Sequence, residues 1–164
     1  MHFRDGRPLS RRELLASGAA VTAGLVSAGP LQALAGTEKF DASLVLKPAK
    51  VSLVGKEFPD TEVWTFNGSV PGPELRVRQG SRLRVEVENR LSEETTVHWH
   101  GIRLPNAMDG VPHVTQKPIG QGGRFVYEFD LPDAGTYWYH PHQGSSEQVG
   151  RGLYGALIVE EREP

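Results

Sequence analysis

An all-β domain, a sandwich or barrel of short strands, is what this sequence predicts, on three observations. Its clearest segments alternate apolar and polar residues with a period of two. Gly, Pro and Asn clusters break the chain at short intervals. After residue 36 there is hardly a segment with helical periodicity, no internal repeat and no low-complexity linker.

The first stretch reads as targeting rather than fold. Arg11 and Arg12 precede a mildly apolar run from Leu14 to about Ala28, and Ala33-Leu34-Ala35 forms a small-x-small cleavage site. The arginine pair resembles a bacterial twin-arginine signal, which implies export to the periplasm or an equivalent compartment. The apolar run is shorter than the ~20 residues a bilayer-spanning helix needs, so residues 1–35 are expected to be a cleaved signal, leaving no membrane span. Residues 36–45 then form a lead-in, and 46–164 the domain itself.

Within that domain, weaker strand candidates lie at 43–47, 50–54 and 62–66. Asn67-Gly68 is a hairpin-turn pair, because both residues tolerate positive φ. Pro71 and Pro73 follow and forbid a central strand there. In "SRLRVEVENR", Leu83, Val85 and Val87 face one way while Arg82, Arg84, Glu86 and Glu88 face the other. The mixed-sign run from Arg76 to Arg90 reads as the solvated side of an amphipathic hairpin broken at Gln79-Gly80. "RFVYEFDL" repeats the alternation with Phe125, Tyr127, Phe129 and Leu131, and "LYGALIVEE" is apolar enough to be covered on both faces. Such a set predicts an antiparallel sandwich or barrel.

Composition removes several function classes. The 164 residues carry a formal net charge of −2, and nothing basic points to nucleic acid. There is no cysteine, which excludes disulfides, iron–sulfur ligation and any copper–thiolate centre built by this chain alone.

What remains distinctive is histidine. Apart from His2, the chain has five: His98 and His100 in "TVHWHG", His140 and His142 in "TYWYHPHQG", and His113 alone in "VPHVTQ". On a strand, positions i and i+2 face the same side, so each His-x-His pair aims two imidazoles into one space. Two such strands side by side converge four rings on a small volume. Imidazole suits Cu, Zn, Fe and Ni, and four buried imidazoles without a ligand would leave many polar atoms to satisfy. A metal site follows from His98, His100, His140 and His142, whereas His113 reads as a surface or supporting residue. A cupin would carry a Glu soon after the pair, but "GIRLP" follows and no carboxylate comes before Asp109. An α-type carbonic anhydrase needs a longer chain and one further single ligand.

"TVHWHGIRLPNAMDGVPHVTQKPI", "FNGSVPGPELRVRQG", "GTYWYHPHQG" and "GLYGALIVEE" together resemble the N-terminal, plastocyanin-like cupredoxin domain of a multicopper oxidase, of the laccase-like and copper-resistance kinds. The resemblance covers about 46–161 and implies a Greek-key β-sandwich of the cupredoxin type. It further implies copper as cofactor and O2 as co-substrate, reduced to water at a three-copper cluster held by eight histidines, four of them from this domain. By that resemblance His98 holds the lone type 2 copper, His100 and His140 one copper of the type 3 pair, and His142 the other. Asp109, in "MDGVP", matches an acidic position that supplies protons for O–O cleavage, although Asp-Gly is also a turn dipeptide.

The departure from the family pattern is the absent His-Cys-His segment and the absent electron-entry copper. As written the chain is expected not to turn over a substrate alone. The expectation is the first domain of an oxidase whose remaining cupredoxin domains lie on a truncated or separate chain. A free-standing periplasmic copper-binding protein, or a partner that completes the cluster, is the alternative.

Overall fold

In a computed structural model of the chain, residues 39–163 are described. The expected signal, residues 1–35, therefore lies outside the described residues. Among those described, eight strands form: β1 (Ala42–Val51), β2 (Thr61–Phe66), β3 (Leu75–Arg78), β4 (Arg82–Asn89), β5 (His98–His100), β6 (Arg124–Asp130), β7 (Gly135–His140) and β8 (Gly155–Glu160). One short helix, α1 (Ser145–Gly150), and a 3-10 turn at Asn106–Met108 complete the secondary structure. No helix among the described residues is long and apolar enough to cross a membrane.

The strands make two four-stranded sheets, ordered β2-β1-β4-β6 and β3-β8-β7-β5. The core lies between them. Leu83, Val85 and Val87 of β4 and Tyr127 and Phe129 of β6 are buried, as their alternation predicts. Trp99 of β5 is fully buried and meets Tyr127, Phe129 and Tyr139 at ring-centroid distances of 5.5, 5.1 and 5.8 Å. These aromatic contacts stitch the two sheets together and back the strand that carries the histidines.

The structure corrects four sequence expectations. The candidates at 43–47 and 50–54 are one strand that runs through Pro48. Pro48 stands opposite Trp64, whose N–H turns away from β1 to donate to the Arg151 carbonyl at 2.9 Å. The pair is thus of the non-hydrogen-bonded kind, and β4 pairs with β1 only as far as Leu46, so proline's missing donor breaks no ladder bond.

The sandwich is also mixed rather than purely antiparallel, since β1 pairs with β4 and β3 with β8 in parallel. That pairing dissolves the expected hairpin at 76–90: β3 and β4 are consecutive yet belong to opposite sheets, the chain crossing over at Gln79–Ser81. The solvated character of that run is real. Arg76 pairs with Glu74 and Glu160, Arg82 with Glu128 and Asp130, and Arg90 with Glu88, all on the surface. Finally, β8 is not covered on both faces. Gly155, Leu157 and Val159 are buried, while Ala156 and Ile158 are only half-buried.

Asn67-Gly68 makes the predicted tight turn, with φ of 56° and 92°, and Phe66 bridges Ser69 across it. The Asn67 carboxamide then bonds back to β1, accepting from the Val45 N–H and donating to the Ser43 carbonyl.

Candidate metal centre

β5 and β7 are antiparallel neighbours, and their register sets His98 directly opposite His140 and His100 opposite Trp138. The alternation that buries Trp99 and Tyr139 between the sheets turns His98, His100 and His140 to the other face. His142 follows two residues beyond the ladder. The rings of His98 and His100, His98 and His140, and His98 and His142 are 5.6, 5.4 and 5.3 Å apart, so His98 is the hub.

Three of the four form a tight group. Ligand nitrogens of His98, His100 and His140 lie within 4.8 Å of one another. His100 Nδ1 and His140 Nε2 are 3.4 Å apart. Two nitrogens bound to one ion at about 2.0–2.1 Å with a tetrahedral angle stand roughly 3.3 Å apart, so this pair has the spacing of a chelate. His142 is separate, its ring 6.5 Å from that of His140.

Neighbouring carbonyls decide which nitrogens are free. The Asp109 carbonyl, an acceptor only, lies 2.7 Å from His98 Nδ1, which must therefore carry the proton and leave Nε2 with its lone pair. His140 Nδ1 donates to the Pro141 carbonyl at 2.8 Å, which likewise frees Nε2. A second partner on the distal nitrogen is the usual way a ligating imidazole is oriented. Burial pushes the His140 imidazole below its ordinary pKa, and the nearby His98, His100 and His142 rings add to that shift against the Pro141 carbonyl, which raises it. Its lone pair is thus available for a metal. Trp138 stacks on His140 at 4.0 Å and covers one of its faces. The donor set, all imidazole with the tautomers of His98 and His140 fixed, fits a borderline metal such as copper.

Asp109 reaches the site from the loop between β5 and β6. Beyond its carbonyl contact, its Oδ1 lies 3.3 Å from His98 Nδ1. Gly110, at φ +73°, makes this approach possible: a Cβ there would stand 1.9 Å from the Val97 carbonyl oxygen. The other side of Asp109 lines an open cavity of about 750 Å³ shared with Arg82, Arg103, Asn106 and Glu128. Asp109 thus touches both His98 and solvent-accessible space. His113 stands exposed on the same loop at φ 63°, its N–H bonded to the Gln116 carbonyl.

Other supporting residues escaped sequence reasoning. The buried Tyr127 hydroxyl accepts from the Val97 N–H at 2.9 Å and donates to Gln116 Oε1 at 2.8 Å, clamping the segment before His98 to the 110–116 loop. Burial raises the Tyr127 phenol well above its ordinary range, so it stays a neutral donor. Thr95, Thr96 and Gln148 are buried polar residues around the same strand. Their only sequence signal was position, directly before "HWH" and shortly after "HPH".

Comparison with known proteins places this geometry. The family model described as multicopper oxidase matches residues 47–164. Copper resistance protein A of Pseudomonas syringae pv. tomato is 45% identical over 134 residues, which cover 82% of this chain and 21% of that protein. A multi-copper oxidase from Pseudomonas thermotolerans superposes with a TM-score of 0.71 at 50% identity, over 77% of this chain and 31% of that one. One from Pseudomonas parafulva is 61% identical with a TM-score of 0.70, over 74% and 30%. The chain spans about a fifth of the length of the curated copper-resistance relative it matches. With its cupredoxin-like sandwich and clustered imidazoles, the chain belongs to the multicopper oxidase family.

Proposed function

We propose that this chain is the copper-binding first domain of a multicopper oxidase and supplies half of the histidine shell of a trinuclear cluster. The single observation that carries this reading is the convergence of His98, His100 and His140 from the paired strands β5 and β7, with the His142 ring 5.3 Å from that of His98. Copper held there supplies one-electron redox chemistry toward O2 while a reducing substrate is oxidised.

The roles of the chain's own residues are those the family resemblance implies, and their bonds support them. His98 presents Nε2 as the type 2 ligand, held by the Asp109 carbonyl. His100 and His140 present the nitrogen pair 3.4 Å apart to one type 3 position, and His142 serves the other. His100 and His142 are exposed, which suits ligands that share their metal with residues from outside this domain. The remaining cupredoxin domains are the proposed source of the other four histidines. Asp109, between His98 and the cavity, is placed to pass protons from solvent to the cluster. We further propose export by the twin-arginine route and a periplasmic location, on the strength of Arg11-Arg12 and the Ala33-Leu34-Ala35 site.

Cu(II) titration of the full chain tests the metal reading. A site is expected in the wild type and its loss in the His98→Ala/His100→Ala double variant; unchanged stoichiometry in that variant would overturn the assignment. The free-standing copper-binding alternative is separated by the coding DNA. An in-frame or frameshifted His-Cys-His segment downstream of codon 164 supports the oxidase, and its absence supports the binding protein.

A further inference from the structure

The ladder that aligns the two histidine pairs ends at His98 and His140. Pro141 comes next and has no N–H with which to extend it. His142 therefore lies outside the sheet, yet its ring stays 5.3 Å from that of His98. Other bonds must hold it there.

The first is weak: the His142 N–H donates to Thr96 Oγ1 at 3.3 Å. The second is longer in reach. Gln148, on α1 just after the "HPH" segment, is only 4% exposed. Its Nε2 donates to the Glu94 carbonyl at 2.8 Å, and its Oε1 accepts from Thr95 Oγ1 at 2.7 Å. Thr95 is itself fixed by two backbone bonds with Ile119, at 3.1 and 2.7 Å. One carboxamide thus joins the helix after the second histidine pair to the segment that leads into the first. It uses a donor and an acceptor at once, which a methionine or a glutamate of similar length cannot do.

We propose that Gln148 is a positioning residue of the metal centre: its paired bonds to Thr95 and Glu94 set His142 against His98 where the β-ladder no longer can. The metal part of this claim rests on the copper reading above; the positioning part does not.

The test uses the full chain and three variants. Gln148→Met keeps length and removes both bonds. Gln148→Glu keeps an acceptor for Thr95 but sets a carboxylate oxygen against the Glu94 carbonyl. Thr95→Ser keeps the hydroxyl and serves as the conservative control. Two readouts are taken: amide hydrogen exchange of the apo protein, and Cu(II) affinity. In both Gln148 variants the His142 amide is expected to exchange at least about tenfold faster, while amides of the β1–β4–β6 sheet keep their protection. Cu(II) affinity is expected to fall about 10–100-fold in the Gln148 variants, the usual effect of losing a residue that orients a ligand, and to stay near wild type in Thr95→Ser. Unchanged His142 exchange, or equal acceleration in both sheets, overturns the positioning role and leaves Gln148 an ordinary stabilising contact. If the wild type takes up no Cu(II), the copper reading falls, and His142 exchange still decides the positioning role.

Discussion

Replacing Gly110 by alanine examines how the backbone, rather than a side chain, builds the proposed metal centre. Gly110 sits at φ +73°, where an L-residue with a Cβ costs about 1–2 kcal/mol. The added carbon would also stand 1.9 Å from the Val97 carbonyl oxygen and 2.5 Å from its carbonyl carbon. Both atoms are main chain in the segment leading to His98, so no side-chain rotation relieves the overlap and the loop must lift. Lifting withdraws the Asp109 carbonyl from His98 Nδ1, breaking a 2.7 Å bond. Alanine recovers about 0.4–1 kcal/mol by stiffening the unfolded chain. The net loss is about 2–4 kcal/mol once the forfeited loop contacts are included. For a domain of this size that lowers Tm by about 10 °C. The assay pairs thermal unfolding of the apo protein with Cu(II) titration below the transition, and affinity is expected to fall about 10–100-fold. Asp109→Asn is the contrasting variant: it retains the carbonyl that holds His98, so copper affinity should remain near wild type. Wild-type Tm and copper affinity in Gly110→Ala would refute the claim that the close packing of this loop on Val97 orients His98.

Two further outcomes follow from the buried groups. His140 has its pKa held below the unfolded value of about 6.5, so the native state binds fewer protons than the unfolded chain as pH falls below that value. Apo stability should accordingly fall between pH 7 and 5, and His140→Asn should flatten the slope in urea titrations; an unchanged slope would remove His140 as its source. Tyr127→Phe removes the acceptor of the buried Val97 N–H and the donor to Gln116, at a cost of about 1–3 kcal/mol. Tyr137→Phe, whose hydroxyl makes only long bonds of 3.3–3.4 Å, should cost less, and equal losses in thermal melts would contradict the clamp assigned to Tyr127.

Much of the fold was legible because alternation and turn chemistry are local. Leu83, Val85 and Val87 announced their buried face, and Asn67-Gly68 its turn, from neighbours within a few residues. Pairing partners were not legible. Nothing local to Arg76–Arg90 says that β3 joins β8 while β4 joins β1 and β6. That 43–47 and 50–54 form one strand was not legible either, because Pro48 is tolerated only where Trp64 turns its N–H toward Arg151, 87 residues downstream of Trp64.

The four histidines illustrate the same division. Their spacing determined that each pair faces one way, since a strand alternates sides whatever surrounds it. Only the tertiary structure brought the pairs together, by placing β5 beside β7 in a register that opposes His98 to His140. It alone chose the free nitrogens, through the carbonyls of Asp109 and Pro141, and it alone drew His142 back toward the cluster from beyond the sheet. The physical reason is that side-chain direction along a strand is a property of the backbone repeat. Hydrogen-bond partners and ring separations, by contrast, depend on segments that meet only when the sandwich closes.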